Sequence, residues 1–224
     1  MGENIAKLIK PADIITLINA LLGFAAIIQV IRQDFAGALV LILAAVIADG
    51  ADGAVARYTG YGVLGANLDS LADVIAFGAA PSIAAYIYLG WPLGIFACFF
   101  LVCGMLRLAR FNVAGKKDGF EGIPITSGGF IVALFLLVED YAPYSRYSFI
   151  LLLVIVSLLM VSRIGYPKLK NPAALAPMGL LLIFDIVVFY LGRQEIAKIA
   201  SLILLVFVCA YILSPLGKRF YDKR

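Results

Sequence analysis

Residues 47–82 read IADGADGAVARYTGYGVLGANLDSLADVIAFGAAPS. Four aspartates, Asp49, Asp52, Asp69 and Asp73, stand there among Ala, Gly, Val and Leu rather than among the polar neighbours of a solvated loop. Their spacing is helical: the first two are three residues apart and the last two four apart, so each pair shares one helix face. Outward from this stretch the chain is mostly apolar. Of its 224 residues, 63% are hydrophobic and 14% charged, and mean hydropathy is +1.03. A water-soluble domain would be about 45–50% apolar and about 25% charged. A soluble globular fold is therefore excluded, and so is disorder. The apolar residues come in runs of roughly 17–22, long enough to cross a hydrocarbon core as a helix. The reading is an all-α polytopic membrane helical bundle, one domain over residues 1–224.

Eight spans are predicted, at 12–31, 34–57, 66–89, 91–111, 122–138, 146–162, 174–191 and 194–214, separated by short polar or Pro/Gly turns. The N-terminus carries no Ala-x-Ala-type cleavage site, so the first run reads as a retained helix rather than a signal peptide. Ahead of it, Ile5, Leu8 and Ile9 alternate with Lys7 and Lys10, which suggests a short amphipathic helix lying on the membrane. Assigning Lys and Arg to alternate sides gives fourteen against four, the minority being Arg32, Arg146, Arg193 and Lys198. That bias puts both termini in the cytoplasm. The Asp cluster then lies just inside the cytoplasmic face of a multi-pass cell-membrane protein.

Ionisable side chains within membrane helices are costly and mark functional sites by default. Four carboxylates at one depth repel unless cations neutralise them. The chain has no His, and Cys98, Cys103 and Cys209 sit apart in apolar runs, so the ligands are hard oxygens, suited to Mg2+ or Mn2+ and numerous enough for two ions. Gly53, Ala56, Gly60, Gly62 and Gly65 strip side chains from the seam between the two Asp pairs. They allow a ligand close to the backbone, although small residues also serve helix packing and turns. Arg57 closes the stretch and could grip a phosphate. Metals, an Arg and open backbone together suggest a diphosphate substrate.

Asp49-x2-Asp52-Gly53-x2-Ala56-Arg57-x7-Gly65-x3-Asp69-x3-Asp73 resembles the complete signature of the CDP-alcohol phosphotransferases. The resemblance implies transfer of a substituted phosphate from a CDP-linked lipid to an alcohol, with release of CMP. DSLADVIAFGAAPS (69–82), RLARFNVAG (107–115) and FEGIPITSGG (120–129) are similar to stretches of the phosphatidylserine synthase branch of that family. The likeness is clearest over 12–130, and 131–224 reads as additional membrane helices. It implies that Asp49, Asp52, Asp69 and Asp73 hold the metals, with Asp73 also the general base. Gly53, Ala56, Arg57 and Gly65 would contact the CDP moiety. Relatives often carry Ser or Thr where this chain has Gly62, so Thr59 could supply that hydrogen bond. Thr16 and Asn19 resemble polar positions of the family's first span and could line the nucleotide pocket, or simply bond between helices.

The acceptor implied is L-serine and the donor CDP-diacylglycerol, with an ether-linked CDP-archaeol as the alternative lipid. Arg107 and Arg110, three apart on one face and followed by Asn112, are candidates for the serine carboxylate or the lipid phosphate. Otherwise the arginines snorkel to headgroups. Glycerol phosphate or inositol phosphate would ask for a denser cationic pocket. A cation transporter would hold its carboxylates near the midplane between repeated halves, and neither feature is present in the sequence. The resemblance further implies a homodimer, and no nucleic-acid partner is expected. Asp185, isolated in the seventh span, is expected to pair with Arg193 or Lys198. Trp91, Tyr141, Tyr144 and Tyr147 read as interfacial anchors.

Overall fold

The computed structural model describes residues 4, 8–60, 62–114, 120–142, 144–166 and 172–221. Its helices are α1 (Pro11–Ile31), α2 (Phe35–Thr59), α3 (Gly65–Leu89), α4 (Ile95–Ala114), α5 (Ile125–Leu137), α6 (Ser145–Val161), α7 (Pro172–Tyr190) and α8 (Gln194–Tyr221). Five of them, α1 to α4 and α8, are long and apolar enough to cross a membrane, and α5, α6 and the apolar part of α7 are shorter. Each predicted run is a helix, with ends shifted by a few residues. The largest shifts are at α4, which begins at Ile95 rather than 91, and α8, which continues past 214 through Pro215. The proposed surface helix over 2–11 falls largely on residues outside those described.

α5 has 13 residues. It packs against α2, α3, α4, α6 and α8, and Gly128 to Phe135 are all buried. A helix enclosed by neighbours on every side need not match the bilayer thickness by itself. Its Ile131 and Leu134, with Phe77, Phe100, Phe149 and Leu153, are among the largest fully buried side chains of the core. Phe135 stacks on Phe149 at 5.2 Å. Two close approaches fix the packing. A Cβ at Gly129 would stand 2.7 Å from the Phe77 carbonyl oxygen, and one at Gly23 would stand 2.4 Å from Ala76 Cα. So α1 and α5 meet the backbone of α3 from two sides.

At that place α3 is not a regular α-helix. It is α-helical over Gly65–Asp73, widens to π register over Val74–Ala79, and is α-helical again from Ala80. Pro81 has no N–H for the carbonyl four residues earlier, that of Phe77, and its ring would crowd it. The wider register relieves that crowding, and it begins directly after Asp73. π turns of this kind often accompany functional sites.

The helices alternate in direction, so the two ends of the bundle collect different residues. One end holds the start of α1, the α2–α3 turn, the end of α4, the start of α5 and the end of α6. Arg57, Arg107, Arg110 and Arg163 are there. The other end holds Arg32, Arg146, Arg193 and Lys198 with Trp91, Tyr141, Tyr144 and Tyr147, and these four aromatics are exposed. At the first end a two-residue ladder pairs β1 (Phe120–Glu121) with β2 (Gly165–Tyr166). The hydrophobic pattern does not announce it.

Candidate metal and nucleotide site

The two Asp pairs face each other because α2 ends and α3 begins across a five-residue turn. Gly60, at φ +76°, stops α2. Ligand oxygens of Asp49, Asp69 and Asp73 all lie within 4.8 Å of one another. Three full charges at that separation would cost at least about 3 kcal/mol per pair, even at an effective dielectric near 20. Three such pairs rival the whole stability of a typical domain. Arg107 is buried at the end of α4 and its charge acts on Asp73, Asp69 and Asp49, but one cation cannot offset three anions.

The donor set fits a divalent metal. It is all carboxylate, and Asp73 is buried with Oδ1 lacking any hydrogen-bond partner among the described residues. The Thr126 side chain, in the first turn of α5, is a hydrogen-bonding neighbour of the Asp49 carboxyl. Asp52 sits apart from the trio. Its Oδ2 accepts a hydrogen bond of 2.6 Å from the Thr16 hydroxyl of α1, which also lies 3.2 Å from the Ala12 carbonyl. The predicted four-carboxylate cluster is thus three close carboxylates plus a fourth held by α1.

A cavity of about 420 Å³ opens beside them, lined by Thr16, Asp49, Asp52, Gly53, Ala56, Gly65, Asp69 and Asn112 among others. At Gly53 an added Cβ would meet nothing within 4 Å, so that glycine keeps cavity space open. Gly62 and Gly65 do something else. Cβ atoms there would stand 2.7 and 3.0 Å from the carboxylate of Asp13, so these glycines let the turn close over α1. Asp13, buried in the first turn of α1, accepts 2.8 Å from the Lys10 backbone N–H and lines the same cavity.

Asp13 and Thr126 are the site residues that sequence reading missed. Asp13 had a signal: it lies three residues before Thr16 and six before Asn19, on the face that carries them. Ser70 was missed as well. It shares a hydrogen bond of 3.0 Å with the Asn112 amide, which links α3 to α4 at the cavity rim.

Other candidates lie elsewhere. Arg57 is exposed in the last turn of α2, and the neighbouring Thr59 hydroxyl bonds the Val55 carbonyl of its own helix at 3.1 Å. Asn19 is fully buried one turn deeper than Thr16, with neither amide atom bonded among the described residues. Arg110 points away from the trio. Its guanidinium donates to the carbonyls of Glu121 (2.7 Å), Val161 and Ser162 (both 3.0 Å) and Met160 (3.3 Å). It closes the C-terminal end of α6 and ties it to β1. Gly122 belongs to the same knot, at φ +74°, where a Cβ would meet the Met160 carbonyl at 2.3 Å.

Asp185 is corrected outright. It pairs with neither Arg193 nor Lys198: its Oδ2 accepts 2.6 Å from the Ser201 hydroxyl. Lys198 turns instead to Asp140 at 2.7 Å and Glu195 at 3.5 Å. A hydroxyl on the adjacent helix takes one carboxyl oxygen without burying a second charge.

A profile of the CDP-alcohol phosphatidyltransferase family matches residues 10–162, which contain every residue placed at this site. Among individual proteins, the chain is 38% identical over 171 residues to a CDP-diacylglycerol–serine O-phosphatidyltransferase of Methanocaldococcus jannaschii. That match covers 75% of this chain and 79% of the relative. It is 36% identical over 171 residues to the protein of the same name from Helicobacter pylori, covering 71% and 72%. An archaetidylserine synthase of Methanothermobacter thermautotrophicus is 36% identical over 183 residues, covering 77% and 76%.

Proposed function

This chain belongs to the CDP-alcohol phosphatidyltransferase family, and from that premise we propose that it transfers the phosphatidyl group of CDP-diacylglycerol to the hydroxyl of L-serine, giving phosphatidylserine and CMP. The observation that carries the reading is the meeting of Asp49, Asp69 and Asp73 within 4.8 Å beside a cavity that Gly53 keeps open. The serine acceptor is supported by relatives bearing that activity in their names. The archaetidylserine synthase supports the ether-lipid variant of the same chemistry equally well. Donor tails contact apolar helix surfaces, which do not discriminate ester from ether.

Asp49, Asp69 and Asp73 would hold divalent ions, with Asp52 completing the set. Ions held there would supply Lewis-acid chemistry, offsetting charge that builds on the transferring phosphate and on the CMP leaving group. Gly53 and Ala56 give the cytidine diphosphate its approach to the backbone, Gly65 lines the same cavity where the turn closes over α1, and Thr16 and Asn112 offer polar contacts on the cavity walls. Asp73 accepts the proton of the attacking hydroxyl. A carboxylate is a weak base for an alcohol, so proton acceptance is late and no free alkoxide forms. Attack is in line on the phosphorus that bears the lipid. Arg107, whose charge acts on the trio, is assigned to the serine carboxylate or the lipid phosphate, while Arg110 holds the frame at the end of α6. The site faces the cytoplasm of the cell membrane, both termini lie on that side, all eight helices traverse the bilayer, and the protein is a homodimer.

The test is release of radiolabelled CMP from CDP-diacylglycerol by purified protein, with serine, glycerol 3-phosphate and inositol 1-phosphate offered in turn. Serine-dependent, metal-dependent release with inversion at phosphorus is expected. Release supported by a phosphorylated acceptor instead, or net retention, would overturn the corresponding part of the reading.

A further inference from the structure

At the end of the bundle opposite the Asp trio, a second cavity of about 220 Å³ lies between the start of α2, the end of α5, the end of α7 and the start of α8. Its rim is exposed at Asp140 and Gln194, and its interior reaches Asp185 and Ser201, each only 1% exposed. Asp185 Oδ2 takes the Ser201 hydroxyl, but Oδ1 has no partner among the described residues. A carboxylate oxygen in an apolar wall with no donor is a costly arrangement. The nearest cation on the wall, Lys198, is engaged by Asp140 and Glu195. Glu139 and Asp140 at the mouth add negative charge, a field that concentrates cations.

We propose that this cavity is a binding site for a primary ammonium group, with Asp185 Oδ1 as its counter-ion. A single buried carboxylate matches a single positive charge. A divalent metal would require about six to eight oxygens, and the interior offers only those of Asp185 and Ser201. An –NH3+ group needs three acceptors at most, and the Leu39, Leu136 and Phe189 walls suit its alkyl stem. The ammonium is that of an aminophospholipid headgroup in the adjoining leaflet or of a soluble amine.

The experiment is thermal unfolding of the purified full-length protein with ethanolamine, against tetramethylammonium and Na+ at matched ionic strength. A parallel arm uses nanodiscs of phosphatidylethanolamine against phosphatidylcholine. Ethanolamine or phosphatidylethanolamine should raise Tm where the controls do not, and the arm that responds identifies the source. Asp185→Asn should weaken half-saturation at least tenfold and Ser201→Ala at least threefold. Asp73→Asn should leave the shift intact, which separates this site from the catalytic end. Unchanged CMP release by Asp185→Asn shows that it is folded; if it is not, Ser201→Ala decides. Equal stabilisation by Na+ or tetramethylammonium, no response to either amine, or wild-type half-saturation in the folded variants would overturn the proposal.

Discussion

The Thr16–Asp52 hydrogen bond of 2.6 Å shows how much one side chain decides at this site. It ties the first helix to the signature and draws Asp52 away from the other three carboxylates. Thr16→Val leaves that buried carboxylate oxygen without its donor, a loss of about 1–3 kcal/mol. Serine-dependent CMP release is expected to fall about tenfold or more, measured at saturating metal. Asp73→Asn keeps the shape and removes the base, so kcat should drop about 10²- to 10⁴-fold. Metal binding, followed by calorimetry, should weaken but persist on Asp49 and Asp69. The two arginines of the RLAR run separate cleanly. Arg107→Ala should raise KM for serine or for the CDP-lipid. Arg110→Ala should instead lower Tm with KM for both substrates near wild type, because four backbone carbonyls lose their donor. A rise in KM with Tm unchanged would reverse these two roles.

Among the elements, α3 carries the most function per residue. Its first turns present Asp69 and Asp73, its π turn follows immediately, and glycines of α1 and α5 press on that turn from both sides. Gly129→Leu would drive a side chain into the Phe77 backbone, and Gly23→Leu would do the same at Ala76. Over-packing of this kind costs about 1–3 kcal/mol or more. Each variant should lower Tm and reduce kcat together, since the displaced turn adjoins Asp73. Gly50→Ala is the control: a Cβ there meets nothing within 4 Å, so Tm should stay within a degree or two of wild type. The hydrophobic run predicted this helix and both its ends. It gave no sign of the change in register, because periodicity averaged over 25 residues hides one widened turn, although Pro81 marks its cause.

At the scale of the whole molecule, alternating helix direction gathers the trio at one end and Asp185 at the other. Labelling of single-cysteine variants tests the orientation. A cysteine at the exposed Tyr58 should react with impermeant maleimide only in inverted vesicles, and one at the exposed Tyr144 only in right-side-out cells. The reverse pattern would place the catalytic end outside. Chelation with EDTA should abolish CMP release, and Mg2+ or Mn2+ should restore it.

The sequence by itself determined the fold class, the runs that become helices, and the candidate site down to the four aspartates. Those are local properties, set by hydropathy and by positions three and four apart along one helix. Only the tertiary structure decided which residues share an environment. It gave Asp52 to Thr16, Asp185 to Ser201 and the Arg110 guanidinium to the end of α6, and it brought Asp13 and Thr126 to the site. Those pairings join residues 15 or more positions apart in sequence. They depend on how helices rotate about their axes when packed, which close contacts such as Gly23 on Ala76 set and no one-dimensional pattern records.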